Sequence, residues 1–140
     1  MKIYQQALQI SETKRGFHLI TTEILKAFPQ IGEIKTGIFQ VFIQHTSASI
    51  LINENADPTV RKDFEAFFNK AVPENVQNYE HYNEGSDDMP AHLKTALLGC
   101  SIIIPIINGK LALGTWQGIY LCEHRNHGGE RNLVLTAWGD

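Results

Sequence analysis

The segment QHTSASILINENADPTV, residues 44–60, joins an extended run to the clearest helix of the chain and thereby decides the fold. Asp57 and Pro58 mark the start of that helix, because aspartate caps free N–H groups and proline suits the first helical turn. Apolar residues at helical spacing follow, and Pro73 ends the pattern. These residues are Val60, Phe64, Phe67, Phe68 and Ala71. We predict that one face of this helix is buried.

The residues before this segment predict two strands and a short helix. Residues 2–10 alternate between apolar and polar side chains, which indicates a first strand. Apolar residues of 18–28 recur at helical spacing, and Pro29 follows them, so we predict a helix there. The run from Thr36 to Ile43 is β-rich and apolar on both faces apart from Gln40. Such a run is typical of a central strand.

The residues after Pro73 predict a long loop, a second helix and several strands. Residues 74–88 are polar and without period, whereas Met89 to Leu98 form a helical pattern that Gly99 terminates. The motifs SIIIPI and KLAL flank Ile107-Asn108-Gly109, which is a hairpin signal. Further strands are expected at 116–124 and 132–138. The order of elements predicts an α+β domain with about three helices and a curved, largely antiparallel sheet resembling a sandwich or barrel.

Length and composition exclude several classes of protein. With 140 residues, the chain is expected to form a single domain over 1–140. Its net charge of −3 and the lack of a basic cluster argue against binding to nucleic acid. Neither a signal peptide nor a membrane span is indicated, so membrane association is not expected. The two cysteines, Cys100 and Cys122, are interpreted as reduced thiols of a cytoplasmic protein.

A row of polar side chains follows the strand pattern of residues 44–53. If this stretch is extended, His45, Ser47, Ser49 and Asn53 share one face with Leu51. The opposite face carries Ala48, Ile50 and Ile52 and is typical of a core. Buried polar groups require hydrogen-bond partners in the protein, in water or in a ligand. The row therefore indicates either the floor of a site or a turn with local hydrogen bonds.

Three histidines are candidate metal ligands. His81 lies in the polar loop, and His92 lies in the first turn of the second helix, where the helix dipole disfavours the imidazolium form. Together with His45 they match the composition of a catalytic zinc site with three protein ligands and one open position. Their spacing alone does not distinguish this site from three unrelated histidines. We keep a divalent cation, zinc or magnesium, as a candidate cofactor.

Two further motifs contain candidate substrate-binding residues. In GTWQG, residues 114–118, glycines flank Trp116 and Gln117 and permit close approach of a ligand or of another strand. In EHRNHGGER, residues 123–131, Arg125 has the side chain best suited to bidentate binding of phosphate or carboxylate. The alternatives are a packed strand start for the first motif and a solvated hairpin loop for the second.

Taken together, these motifs resemble the YjbQ family. The resemblance rests on QHTSAS followed by NENADPTV, on YEHYNEG with DDMPAHLKTALLG, and on GTWQGIYLCEHR, and it covers nearly the whole chain. It implies an α+β fold with a curved antiparallel sheet, assembly as a homotrimer, and weak thiamine-phosphate synthase activity. That reaction joins hydroxymethylpyrimidine diphosphate to thiazole phosphate and releases pyrophosphate.

The resemblance supports His45, Thr46, Ser47, Asn53, His81, His92 and the GTWQG turn as site residues, whereas Ser49 and Arg125 are candidates from the residue pattern alone. The candidates for catalysis are His45, Asn53 and His92; those for substrate binding are Thr46, Ser47, Ser49, Trp116, Gln117 and Arg125; those for metal binding are His45, His81 and His92. Many relatives have a different segment in place of EHRNHGGER, so the resemblance assigns no role to His124, Arg125 or His127. Three hypotheses follow: a transferase acting on phosphorylated small molecules, a zinc-dependent hydrolase, and a non-catalytic trimer that binds a small anionic metabolite.

Overall fold

The computed structural model describes all residues 1–140 as eight strands, three α-helices and one 3₁₀ helix. The strands are β1 (Lys2–Ile10), β2 (Gly16–Leu19), β3 (Thr36–Ile43), β4 (Ala48–Glu54), β5 (Ser101–Ile107), β6 (Lys110–Leu111), β7 (Gln117–Glu123) and β8 (Arg131–Gly139). The helices are α1 (Thr21–Ala27), α2 (Pro58–Ala71) and α3 (Asp88–Leu98), and the 3₁₀ helix is Pro29–Glu33. None of these helices combines the length and apolar character needed to cross a membrane.

The strands form two antiparallel sheets. One sheet has the order β1-β8-β3-β5-β6, and the other has the order β2-β7-β4. Every pairing is antiparallel. The main core contains the inward side chains of β3, β5 and β8 from the first sheet and of β4 and β7 from the second, with α1 packed against them. The predicted α+β class with an antiparallel sheet and three helices is confirmed.

The two faces of β4 pack against different partners. Ala48 and Ile50 are buried in the main core, whereas Leu51 packs against a smaller cluster formed by Phe17, Tyr120 and Cys122. Helix α2 covers this smaller cluster through Phe64 and Phe68, whose rings lie 5.3 and 5.9 Å from the ring of Phe17. The predicted alternation of β4 is therefore correct for Ala48 and Ile50, which face the main core. The opposite face of β4, with Leu51, faces the small cluster that α2 covers.

Most predicted elements are confirmed with small shifts at their ends. β1, β3, α2 and α3 lie where the patterns place them, and β3 is a central strand between β8 and β5. Asp57 caps α2 by accepting a hydrogen bond from the Thr59 backbone N–H at 2.9 Å. The hairpin turn between β5 and β6 has Asn108 and Gly109 at φ of 49° and 76°, as a two-residue turn of this type requires.

Three expectations are wrong. The helix predicted from residue 18 begins at Thr21, because residues 16–19 pair with β7 as a strand. Phe67 is 63% exposed, so it does not belong to the buried face of α2. The strand expected over 44–53 begins at Ala48, because residues 44–47 carry the chain from the first sheet to the second. His45 and Ser47 consequently lie before the strand and do not share one strand face with Ser49, as the alternation had predicted.

Candidate functional site

The start of α3 and the loop before it bring His81, Asp88 and His92 together. One ligand atom from each of the three residues lies within 4.8 Å of the other two. The Oδ2 atom of Asp88 is 2.7 Å from Nε2 of His81 and 3.1 Å from Nε2 of His92. Asp88 and His92 are one helical turn apart, so α3 itself sets their proximity. We call these three residues the His-Asp-His centre.

The orientation of the His92 ring is set by the segment before β4. Its Nδ1 atom lies 2.8 Å from the carbonyl oxygen of Thr46. A carbonyl only accepts hydrogen bonds, so Nδ1 carries a proton and donates it. In the neutral ring, Nε2 then presents a lone pair towards the carboxylate of Asp88. Two acceptors at this separation repel each other unless a proton or a metal ion lies between them.

Arg125 fixes the carboxylate of Asp88 from the opposite side. Its Nη1 donates to Oδ1 of Asp88 at 2.6 Å, and its Nε donates to Oδ2 of Asp87 at 3.0 Å. Its Nη2 donates to the carbonyl of Glu84 at 3.0 Å. Arg125 therefore ties the loop after β7 to the start of α3, and it leaves Oδ2 of Asp88 directed at the two histidines.

The electrostatic environment keeps both aspartates ionised. Burial alone would raise the pKa of Asp88, but the hydrogen bond with His81 and the charge of Arg125 outweigh it and lower this pKa below the ordinary value of 3.8. For Asp87, burial is likewise outweighed, here by hydrogen bonds from the Asn126 backbone and from Arg125, so its pKa is also lowered. The side chain of Asp88 is only 2% exposed, whereas that of His81 is 45% exposed, so the centre opens to solvent on the side of His81.

His45 lies near this centre but makes a different contact. Its Nε2 accepts a hydrogen bond from the backbone N–H of Asn132 at 2.8 Å. Burial first, and then the charge of Arg131, lower the pKa of His45, which favours the neutral ring. The structure thus places Asp88, rather than His45, beside His81 and His92. His45 and His92 still share a surface cleft of about 450 Å³ along α3.

The two serines of the quoted segment bind protein groups. The backbone carbonyl and hydroxyl of Ser47 accept hydrogen bonds from Arg131, at 3.3 and 3.1 Å. The Ser49 hydroxyl, fully buried, lies 2.8 Å from Nε2 of His124. Burial lowers the pKa of His124 to about 3, so this imidazole is neutral. Arg131 in turn forms a buried ion pair with Glu123, with Nε 2.7 Å from Oε1.

The remaining predicted residues lie at the other end of the β4–β7 pair. Asn53 is opposite Gly118 in the register, whereas Ala48 is opposite Glu123, so these two positions are about 17 Å apart along the strand. The side-chain oxygen of Asn53 accepts from the Glu54 N–H, and that of Gln117 accepts from the Gly114 N–H. Trp116 is 66% exposed. These three residues are not in contact with the His-Asp-His centre.

Sequence reasoning missed Asp88 as a partner of the histidines. The available signal was the four-residue spacing of Asp88 and His92, which places both side chains on one face of α3. It also missed the buried pair of Glu123 and Arg131, because these residues belong to different strands and only the β7–β8 connection brings them together. No sequence pattern predicts that contact.

A family model and several relatives match this chain. The model of the UPF0047 protein YjbQ-like family matches residues 6–140. UPF0047 protein YjbQ of Escherichia coli O157:H7 is 50% identical over 98% of this chain and 99% of its own length. A UPF0047 protein of Synechocystis sp. is 44% identical over 98% of this chain and 92% of its own length.

Solved structures agree with the fold. A YbjQ-like protein of unknown function from Sulfolobus solfataricus superposes with a TM-score of 0.86 at 26% identity, covering 99% of each chain. An uncharacterized conserved protein from Clostridium acetobutylicum superposes with a TM-score of 0.81 at 37% identity, covering 93% of this chain and 97% of that one. The similarity therefore extends over essentially the whole domain.

Proposed function

The chain belongs to the UPF0047 YjbQ-like family, and on that premise we propose that its His-Asp-His centre binds a divalent metal ion and, through it, an anionic small molecule. The family is one of unknown function, so the proposal rests on the geometry of this chain. Two imidazoles and one carboxylate are a ligand set that zinc accepts. Magnesium prefers a shell of oxygen atoms, so zinc is the better match of the two cations.

The contact between His92 and Asp88 supports this proposal most directly. The Thr46 carbonyl requires a proton on Nδ1 of His92, and Nε2 then faces Oδ2 of Asp88 at 3.1 Å. A proton on Nε2 would make this contact an ion pair, whereas a bound cation would replace it with two coordination bonds. The carbonyl behind His92 and the guanidinium behind Asp88 match the outer partners that orient ligands in known metal sites.

Such a centre suits chemistry on phosphorylated small molecules. A zinc ion held there would supply a Lewis acid for phosphoryl oxygens and would lower the pKa of a bound water. The side chain of Asp88 is shielded from solvent, whereas that of His81 is partly exposed, so a ligand can reach the centre from the side of His81. We therefore favour a metal-dependent hydrolase or phosphate-ester-binding enzyme, in which His81, Asp88 and His92 hold the ion.

The thiamine-phosphate synthase activity implied by the family resemblance stays a prediction. A metal ion at the same centre would screen the diphosphate group of the pyrimidine substrate and the leaving pyrophosphate. Turnover of purified protein with hydroxymethylpyrimidine diphosphate and thiazole phosphate tests this activity. The cytoplasmic location and the binding of a metabolite without turnover also remain predictions, and ligand-dependent thermal stabilisation without product would favour the latter.

We also propose that the protein assembles as a homotrimer through the outer face of the five-stranded sheet. This face exposes large apolar side chains, including Ile103 and Ile107 at 58% each, Ile3 at 69% and Phe42 at 41%. Apolar side chains gathered on one sheet face are typical of an interface rather than of a free surface. No helix of the chain covers this face, since α1, α2 and α3 pack against β7, β2 and β4.

Metal analysis of protein purified without a histidine tag tests the central proposal. We expect one zinc ion per chain after incubation with zinc and removal of free metal, measured by mass spectrometry of the native protein and by elemental analysis. Wild-type protein that retains no zinc, or that retains it equally after His92→Ala, would overturn the proposed centre.

A further inference from the structure

The backbone N–H of Asn132 determines the protonation state of His45. A main-chain N–H only donates, and it lies 2.8 Å from Nε2 of His45, so Nε2 must be an acceptor. In a neutral imidazole the single proton is then on Nδ1. This tautomer makes His45 a hydrogen-bond donor at Nδ1, and it prevents Nε2 from acting as a metal ligand while the bond to Asn132 is kept.

The Nδ1–H group of His45 has no acceptor in the protein. The only hydrogen bond of the His45 side chain is the one at Nε2. Nδ1 is not among the buried unpaired atoms, whereas the hydroxyl oxygen of Thr95 is one of them. His45 and Thr95 both line the cleft that runs along α3 from His92 to Gly99 and Cys100. The cleft thus offers one accessible donor without a partner, at His45, while the unpaired hydroxyl of its lining residue Thr95 is buried.

We propose that this cleft binds an oxyanion group of the ligand, with His45 as a neutral hydrogen-bond donor through Nδ1. The inference rests on the proposed metal centre for the second contact of the ligand, because His92 belongs both to that centre and to the cleft. The cleft lining includes no lysine or arginine. The positive charge for the oxyanion, a phosphate or a carboxylate, would come from the cation that His92 helps to hold, and the hydrogen bond would come from the His45 N–H.

Arg131 and Glu123 act on the pKa of His45 in opposite directions. Arg131 influences His45 electrostatically, and it is itself held in a buried ion pair with Glu123. Burial first, and then the charge of Arg131, lower the pKa of His45 against the effect of Glu123, and the hydrogen bond from Asn132 leaves Nδ1 as the donor. His45 in this role is a binding residue and neither a base nor a metal ligand.

Cys100 provides a direct readout of the occupancy of the cleft. Its thiol is exposed at the cleft, whereas Cys122 is fully buried and serves as an unreactive internal reference. The experiment measures the rate at which Ellman's reagent modifies Cys100 while inorganic phosphate is titrated at constant ionic strength, with parallel titrations of acetate and chloride. A saturable decrease with phosphate or acetate, and none with chloride, is expected, and the more protective anion identifies the oxyanion class.

Two substitutions of His45 separate its two nitrogens. The side-chain amide of His45→Asn can place an N–H group near the Nδ1 position. The longer side chain of His45→Gln places its amide near Nε2, so its oxygen can accept from Asn132 but no N–H group remains at the Nδ1 position. We expect His45→Gln to weaken anion protection about tenfold or more, in keeping with the loss of one hydrogen bond to a charged group. His45→Asn should retain most of the protection, and thermal denaturation confirms that both variants fold.

The experiment distinguishes a failure of this inference from a failure of the proposed metal centre. The titration is run on both metal-free and zinc-loaded protein. If the protein does not bind zinc, the proposed function is overturned, but protection of Cys100 can still be measured on the metal-free protein. Zinc content should be the same in His45→Gln and in wild type. Wild-type Cys100 that no oxyanion protects, or equal protection in His45→Gln and wild type, would overturn the inference.

Discussion

The Nε2 atom of His92 lies 3.1 Å from Oδ2 of Asp88, one turn earlier on α3, while Nδ1 of the same ring is bonded to the Thr46 carbonyl. The contact joins three parts of the chain, because Asp88 also binds Arg125 from the loop after β7. The His-Asp-His centre therefore depends on the mutual position of α3, the segment before β4 and the β7–β8 connection.

Asp88→Asn tests the carboxylate ligand. Asparagine keeps the shape of the side chain but removes the negative charge that a zinc ion requires, so we expect zinc affinity to fall on the order of a hundredfold or more. Isothermal titration calorimetry with competing chelators measures this change. The matched control is Asp63→Asn on the exposed side of α2, which should bind zinc as wild type does. Unchanged affinity in Asp88→Asn would exclude Asp88 from the site.

Arg125→Lys tests the positioning of Asp88. Lysine retains the charge but cannot hold the two carboxylates of Asp87 and Asp88 with a planar fork, so the orientation of Oδ2 is lost. We expect zinc affinity to fall about 10- to 100-fold, as outer partners of metal ligands typically contribute. Arg61→Lys on α2 is the control. Loss of thermal stability in metal-free protein with normal zinc affinity would indicate a structural role alone.

His124→Gln tests the pH dependence of stability. Burial lowers the pKa of His124 from 6.5 to about 3, so between these values the unfolded chain binds the additional proton. The free energy of unfolding should therefore increase with pH across this window and level off above it. Glutamine preserves a hydrogen bond to Ser49 but does not titrate, so its urea-unfolding profile should be flatter between pH 4 and about 6.5. Equal slopes in both proteins would refute this assignment.

Ile103→Glu tests the proposed trimer interface. Ile103 is 58% exposed on the outer face of the sheet, so glutamate is tolerated in the isolated chain but opposes burial of this face between copies. Light scattering after size exclusion should give the mass of a trimer for wild type and of a monomer for the variant. Lys26→Glu on the exposed side of α1 should remain trimeric. A monomeric wild type would contradict the proposal at once.

Local sequence signals predicted the elements that carry the site. The Asp57-Pro58 cap and the Asn108-Gly109 turn depend on interactions between neighbouring residues, and both lie where the sequence places them. The alternation of β4 is confirmed from Ala48 onwards. The helix expected from residue 18 was wrong because pairing with β7 outweighed a local helical pattern over residues 16–19. The exposure of Phe67 also depends on tertiary packing, since Phe64 and Phe68, and not Phe67, contact Phe17 and become partly buried.

By itself, the sequence determined the α+β class, the two longer helices and the central strand, because short-range periodicity and capping encode these features. Only the tertiary structure decided which atoms meet. The sheet crossing at residues 44–47 places the Thr46 carbonyl behind His92 and bonds His45 to Asn132. The β7–β8 connection brings Arg125 to Asp88. Contacts between residues 37 to 87 positions apart depend on sheet pairing, and no local pattern specifies them.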